Sequence, residues 1–452
     1  MRTKLAILVL IAGLGTASRT LAQPGMPPRP GGSRPPNGPL QPAGPLQPGG
    51  PNGGPATPMP PDGPGEPMPP MPPGNPGPNG GFGGPLTGLT ADQLAAFNAG
   101  RADFNREETP ATGLGPIFND NSCVRCHQDP APGGVSGAPR SNVTRFGQIV
   151  NGQFDAMEEL GGSLLQARSI DPAGLETVPA AATVRATRIT TPVFGAGLID
   201  AIPDATIRAN ANVANVVKPD GVKGRVATVF DVPSGTSRVG RFGWKAQQAS
   251  LLVFSGDAYL NEVGITNRLF PVENAPNGNT ALLAQINTRV RITGLQDQPD
   301  PATGLSKIDR VTNFMKFLAP PPVRVLDAQT TAGQTVFQQA GCAVCHTPTM
   351  KTGPNTITAL NNQDVRLYSD LLLHNMGSLN DGIAQGNAGA NEMKTAPLWG
   401  LNARPLWLHD GRARTIEAAI IAHDGEGAVS KRRFQQLSPT QHDQLLQFLR
   451  SL

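Results

Sequence analysis

The sequence predicts a mainly α-helical protein with two unequal domains, set behind a long segment that cannot fold. Three observations carry this expectation. Of the 47 prolines and 54 glycines in the 452 residues, 24 and 17 fall between Gln23 and Pro85. All four cysteines lie in two C-x-x-C-H runs, Cys123 to His127 and Cys342 to His346. Apolar residues at helical spacing bracket the second run, and a capped helical stretch precedes the first.

The chain opens as an export signal over residues 1–22. Arg2 and Lys4 give a positive start, Leu5 to Leu14 an apolar run, and Thr20-Leu21-Ala22 a small-residue cleavage site. The competing reading, an uncleaved anchor, needs about 18 apolar residues, more than this run supplies. No cysteine lies nearby, which excludes a lipidated N-terminus. Export to a periplasm is the expectation. Residues 23–87 then read as a disordered linker, because proline removes backbone donors and glycine is costly to order. The segment is expected to act as an extended tether.

Charge and apolar-run length each exclude a function class. Lys and Arg number 37 against 33 Asp and Glu, and only 15% of residues are charged, too thin a balance for a nucleic-acid binder. Lys431-Arg432-Arg433 reads as a solvated loop. No further apolar run approaches bilayer length, so a polytopic membrane protein is excluded.

The cysteine spacing selects a cofactor. Two thiols three positions apart add to the two vinyl groups of one haem, and the adjacent histidine reaches the iron. A zinc site needs four converging ligands, and a thioredoxin-like site does not need the histidine. Disulfides would leave both histidines unexplained. Two covalently bound haem c groups are therefore expected, on Cys123, Cys126 and His127, and on Cys342, Cys345 and His346.

The elements follow in order. Thr90 to Glu108 reads as a capped amphipathic helix ahead of the first motif. The insert between the motifs mixes β-branched runs (Val184 to Val193, Val226 to Val232) with a helical one (Ala246 to Leu260). Asp327 to Gln339 is an entry helix in which Gly333 allows close approach of a neighbour. Ser438 with Gln441 forms a capping box and Pro439 takes the first helical position of a terminal helix. A first helix crossing a last helix is how a small cytochrome c domain encloses its haem. The expected domains are residues 88–323, an N-terminal haem domain enlarged by an insert with some β structure, and residues 324–452.

Several runs along the folded region carry a family resemblance. They are Gly115-Pro116-Ile117-Phe118-Asn119, Phe194-Gly195-Ala196-Gly197-Leu198-Ile199, Gly240-Arg241-Phe242-Gly243-Trp244-Lys245-Ala246 and Glu262-Val263-Gly264-Ile265-Thr266-Asn267. Later come Tyr368-Ser369-Asp370-Leu371-Leu372-Leu373-His374-Asn375-Met376-Gly377 and Leu408-His409-Asp410-Gly411-Arg412-Ala413. Together they resemble the di-haem oxidoreductase family, which is similar to bacterial di-haem cytochrome c peroxidases.

The resemblance implies a division of labour. The N-terminal haem, ligated by His127, is the reactive one, and the C-terminal haem, ligated by His346, transfers electrons. For the second ligand of the latter the candidates are His374, Met376, Met393 and His423. In relatives a short helix delivers a methionine, and here the equivalent helix, Thr415 to Ala422, delivers His423, which is preferred. The competing reading is that His423 only caps that helix. A bis-histidine iron would have a lower potential than a His/Met one. Trp244 is implied as an electron relay and Glu262 as the base that moves a proton during peroxide cleavage. Their bland alternatives are core packing and an ordinary ion pair. Arg412 is expected to pair with a haem propionate. His374 and His409 have no derived role beyond buried hydrogen bonding, and His442 is expected on the surface. Calcium, held by peroxidase relatives, stays an open expectation because no run of oxygen ligands is visible.

The implied function is a periplasmic oxidoreductase using peroxide or O2, with electrons from a small periplasmic donor protein. An electron carrier without turnover and an oxygenase or protein-modifying enzyme are the alternatives.

Overall fold

The computed structural model describes residues 81–137, 142–211, 218–290, 294–324 and 326–452. The expected signal segment and most of the expected linker, residues 1–80, lie outside the described residues. The described fold is mainly helical with small antiparallel sheets, and all of it belongs to one unit.

Local sequence sets the first helix, Ala91–Asn105. The Thr90 hydroxyl accepts from the Gln93 amide, and the Gln93 side chain accepts from the Thr90 amide. This helix crosses Lys307–Phe317 where Gly100 leaves no space for a side chain, since a Cβ would overlap the Arg310 carbonyl. Phe97, Phe104 and Phe314 fill the crossing. The helix stops at Asn105 rather than Glu108. Arg106 is extended, and Glu108 turns inward to a buried ion pair with Lys307 at 2.7 Å.

The insert builds the walls of the first cavity. Strand Asn142–Val150 pairs antiparallel with Val184–Ile189, in register from Asn142 opposite Ile189 to Gly147 opposite Val184. It also pairs with Gln153–Asp155 and Ser163–Leu164. The second expected β run forms half of a hairpin, Thr228–Asp231 with Thr236–Val239. The expected helix from Ala246 begins later, at Leu251, with Ser250 as N-cap. The delay has a tertiary cause: Arg241 and Lys245 are buried in ion pairs, and Ala246 sits at φ +50°. That helix, Leu251–Val263, ends in Gly264 at φ +70° and presents Asp257, Tyr259 and Glu262 to the cavity.

Residues 81–87, assigned to the linker above, are part of the fold. Leu86 N–H donates to the Phe317 carbonyl at 2.7 Å, Ala319 N–H to that of Gly84 at 2.9 Å, and the Phe82 ring lies 5.4 Å from Phe194. A phenylalanine amid the prolines supplies the apolar anchor that composition counting overlooked.

At the C-terminal end, Ala328–Gln339 and Pro439–Ser451 cross as expected. Asp327 and Ser438 cap them, and a Cβ on Gly333 would overlap the Gln444 carbonyl. Phe337, Tyr368 and Phe448 pack edge to face beneath the crossing. The connecting segment does not stay with this core: Leu367, Leu371, Leu372 and Trp399 pack into the N-terminal one. Among the described residues no helix is long and apolar enough to cross a membrane.

Candidate haem centres

Each C-x-x-C-H run opens onto a cavity. The first is lined by Cys123, Cys126 and His127, the second by Cys342, Cys345 and His346. One turn of helix, Cys123–Cys126, aligns the first pair of thiols, and a 3-10 turn, Cys342–Val344, the second. Burial pushes Cys123, Cys126 and Cys342 up to about 12, so these thiols are neutral.

Three histidines are oriented alike. His127 Nδ1–H donates to the Gly134 carbonyl at 3.1 Å, His346 to that of Tyr368 at 3.0 Å, and His423 to that of Ala419 at 2.8 Å. Each bond fixes the tautomer and leaves Nε2 with a free lone pair, the arrangement that metal-ligating histidines use. Burial lowers His127 and His346 to about 4, and His423 is lowered by the same cause.

The two cavities differ on the face opposite the motif. In the second, the His423 ring centroid lies 6.4 Å from that of His346. Two metal–nitrogen bonds of about 2 Å, with about 1 Å from each ring nitrogen to its centroid, span about 6 Å. Met376 and Met393 line the same cavity. His374 does too, but Nδ1 is bonded to Glu426 at 2.7 Å and Nε2 to Asp370 at 3.0 Å, which leaves neither nitrogen for a metal. In the first cavity no second histidine is present among the described lining residues. Met315 belongs to the helix backing His127, through Phe314 and Phe104, whose ring lies 5.7 Å from the imidazole.

Glu262 lines that first cavity. Its Oε2 accepts from Asn119 Nδ2 at 2.8 Å, and Asn119 Oδ1 in turn accepts from the Ala167 amide at 3.1 Å. Burial raises the Glu262 pKa, opposed by the Asn119 bond and by Arg145. Arg145, on the central strand, reaches the same cavity and bonds Ser163 Oγ at 3.2 Å.

Trp244 lines both cavities. Its Nε1–H donates to the Ile189 carbonyl at 2.7 Å, and its ring meets His409 edge-on at 6.3 Å. Asp381, buried, pairs with Arg188 at 2.6 Å and Lys245 at 3.1 Å, the neighbours in sequence of Ile189 and Trp244.

Arg412 lies away from the cavity linings. It is half exposed and bonded to Asp410. The turn that carries it sends His409 inward and the arginine outward. The cations lining the second cavity are Lys394, Arg404 and, from the Lys431 to Arg433 run, Lys431. The sequence reading missed Lys394 and Arg404, and Arg145 and Asp381, because nothing local marks a charge that only the fold buries. His442 is half-buried against Phe434, with ring centroids 4.6 Å apart. The Lys431 to Arg433 run is helical, and Arg433 pairs with Asp220 at 2.6 Å.

The residues fit haem. Buried polar atoms without a protein partner cluster on the cavity walls: Ser122 Oγ, Arg145 Nε and Arg188 Nη2 at the first, Arg404 Nε and Trp407 Nε1 at the second. Calcium fits less well. The one converging group of possible metal ligands among the described residues is Cys345, Asp370 and His374, whereas calcium takes about six to eight oxygens.

Solved structures that the chain resembles are distant. They include Kuenenia stuttgartiensis hydrazine synthase (14% identity, 81% of this chain and 90% of that one, TM-score 0.37). A MauG-like protein associated with microbial copper homeostasis follows (14%, 81% and 92%, TM-score 0.34). The diheme peroxidase BthA of Burkholderia thailandensis is a third (12%, 79% and 86%, TM-score 0.33). No curated protein matches the chain. A family model does match, over residues 180–452, taking in the Trp244 and Glu262 runs, the second C-x-x-C-H motif and His423, and the chain therefore belongs to the family described as "Di-haem oxidoreductase, putative peroxidase".

Proposed function

We propose that the chain is an exported di-haem oxidoreductase that reduces peroxide at the N-terminal centre with electrons passed from the C-terminal one. The supporting observation is the asymmetry of the two cavities. His423 faces His346 across a gap of metal-ligand size, while the first cavity sets a hydrogen-bonded carboxylate, Glu262, among its walls. When bound, the haem supplies an iron that accepts and donates single electrons.

The chain's own residues do the rest. His127, with Nδ1 held by Gly134, directs Nε2 into the first cavity. Glu262, oriented by Asn119, would take a proton from one peroxide oxygen and return it to the other. This second oxygen leaves as water when the O–O bond breaks, the first being reduced to a second water by two electrons and two protons. Burial raises the pKa of Glu262 above that of an exposed carboxylate, which strengthens it as a base. Trp244, which borders both cavities, is the relay between them. The remaining assignments belong to the same reading: cytochrome c-like domains meeting near residue 324, a cleaved signal over residues 1–22, and a small periplasmic protein as donor.

The test is spectroscopic. EPR of the half-reduced protein is expected to show one five-coordinate iron that responds to peroxide, with steady-state turnover faster on peroxide than on O2. Two six-coordinate low-spin irons, unchanged by peroxide, would convert the reading to a plain electron carrier.

A further inference from the structure

The fold compensates most of its buried cations with acids. Lys245 and Arg188 share Asp381, Arg241 pairs with Asp204, Lys307 with Glu108 and Lys218 with Asp370. Three cations break the pattern: Arg145 at the first cavity forms no ion pair among the described residues, and two more sit together at the second. Lys394 is 9% exposed, and its ammonium has one long contact, 3.4 Å to the Thr395 carbonyl. Arg404 donates through Nη2 to the Pro397 carbonyl at 3.0 Å, and its buried Nε has no partner. Neither forms an ion pair among the described residues. Both line the second cavity and the smaller one beside it, which Trp244 also borders.

Two like charges out of water and close enough to repel each other are unfavourable unless an anion joins them. Burial and then the Arg404 charge lower Lys394 to about 8 against a smaller opposing pull from Asp370, and burial lowers Arg404 to about 10. The sequence holds no acid beside either position, with Thr395 and Met393 flanking the lysine and Ala403 and Pro405 the arginine. An arginine offers planar paired donors and a lysine a point charge, a combination suited to carboxylates.

We infer that Lys394 and Arg404 form a built seat for the two propionate carboxylates of the C-terminal haem. The inference rests on the di-haem reading and deepens it. Lys394 N–H also donates to the Trp244 carbonyl at 2.9 Å, so the seat is tied to the relay residue and the anionic edge of the haem lies on the Trp244 side. The same chemistry could be met by a free anion entering from solvent, and the experiment separates the two sources.

The measurement is the reduction potential of the low-spin C-terminal haem, by spectroelectrochemistry of holoprotein whose mass shows two haems. Lys394→Met and Arg404→Met are expected to shift that potential downward, because a lost cation favours the more positive oxidised state. Lys394→Arg and Arg404→Lys, which keep the charge, are expected to stay near wild type and guard against a folding defect. The wild-type potential is expected not to respond to added phosphate. Unchanged potentials in both methionine variants overturn the seat, and a phosphate-dependent wild-type potential reassigns it to a free anion. A mass without haem overturns the di-haem reading together with this inference.

Discussion

Glu262 draws its chemistry from burial. A carboxyl with an ordinary value near 4.5 is moved upward by desolvation, with Asn119 and Arg145 pulling the other way. As a proton acceptor it works only when ionised, so peroxide turnover is expected to rise with pH through a midpoint above 4.5 and then level off. Glu262→Gln is expected to erase that acid limb and slow turnover by about 10²–10⁴-fold, the usual worth of a general base. An unaltered pH–rate profile in that variant would remove Glu262 from the reaction. His423 makes a second claim at this scale. Its Nδ1 bond to Ala419 and its distance from His346 suit a ligand, so His423→Ala should abolish one low-spin EPR signal. His423→Met should keep it and raise the potential, since thioether ligation favours the reduced iron.

Secondary elements were readable wherever their signals are local. Thr90, Asp327, Thr415 and Ser438 each cap the helix that follows, as their spacing to the next residues indicates. Boundaries moved where a distant partner intervened. Glu108 left its helix for Lys307, and Lys245 delayed the start of another by pairing with Asp381. The crossing of the entry and terminal helices depends on Gly333, which meets the Gln444 carbonyl without room for a methyl group. Gly333→Ala is expected to cost about 1–3 kcal/mol by overpacking, visible as a lower urea midpoint with an unchanged slope. A wild-type midpoint would mean that the two helices separate easily.

Across the whole molecule, Asp381 joins parts of the chain almost 200 residues apart. It neutralises Arg188, beside the residue that accepts the Trp244 ring N–H, and Lys245, beside Trp244 itself. Asp381→Asn leaves two buried cations short of an anion, and the expected loss is about 3–5 kcal/mol. Chemical denaturation measures that loss, and flash reduction of the C-terminal haem would report slower transfer to the N-terminal one. A stable variant with wild-type transfer would show that Trp244 needs no such clamp.

The sequence by itself carries the expectation of covalent haem attachment, because thioether formation and ligation need residues three and four positions apart and nothing farther away. It also determined the helix caps and, through the spacing of matched runs, the family. Only the tertiary structure decided which charges are buried. Burial depends on what the rest of the chain lays over a side chain, and so Arg412 turned outward while Lys394 and Arg404 turned in. The same holds for Trp244, whose place between two cavities comes from segments that meet in space and are far apart along the chain.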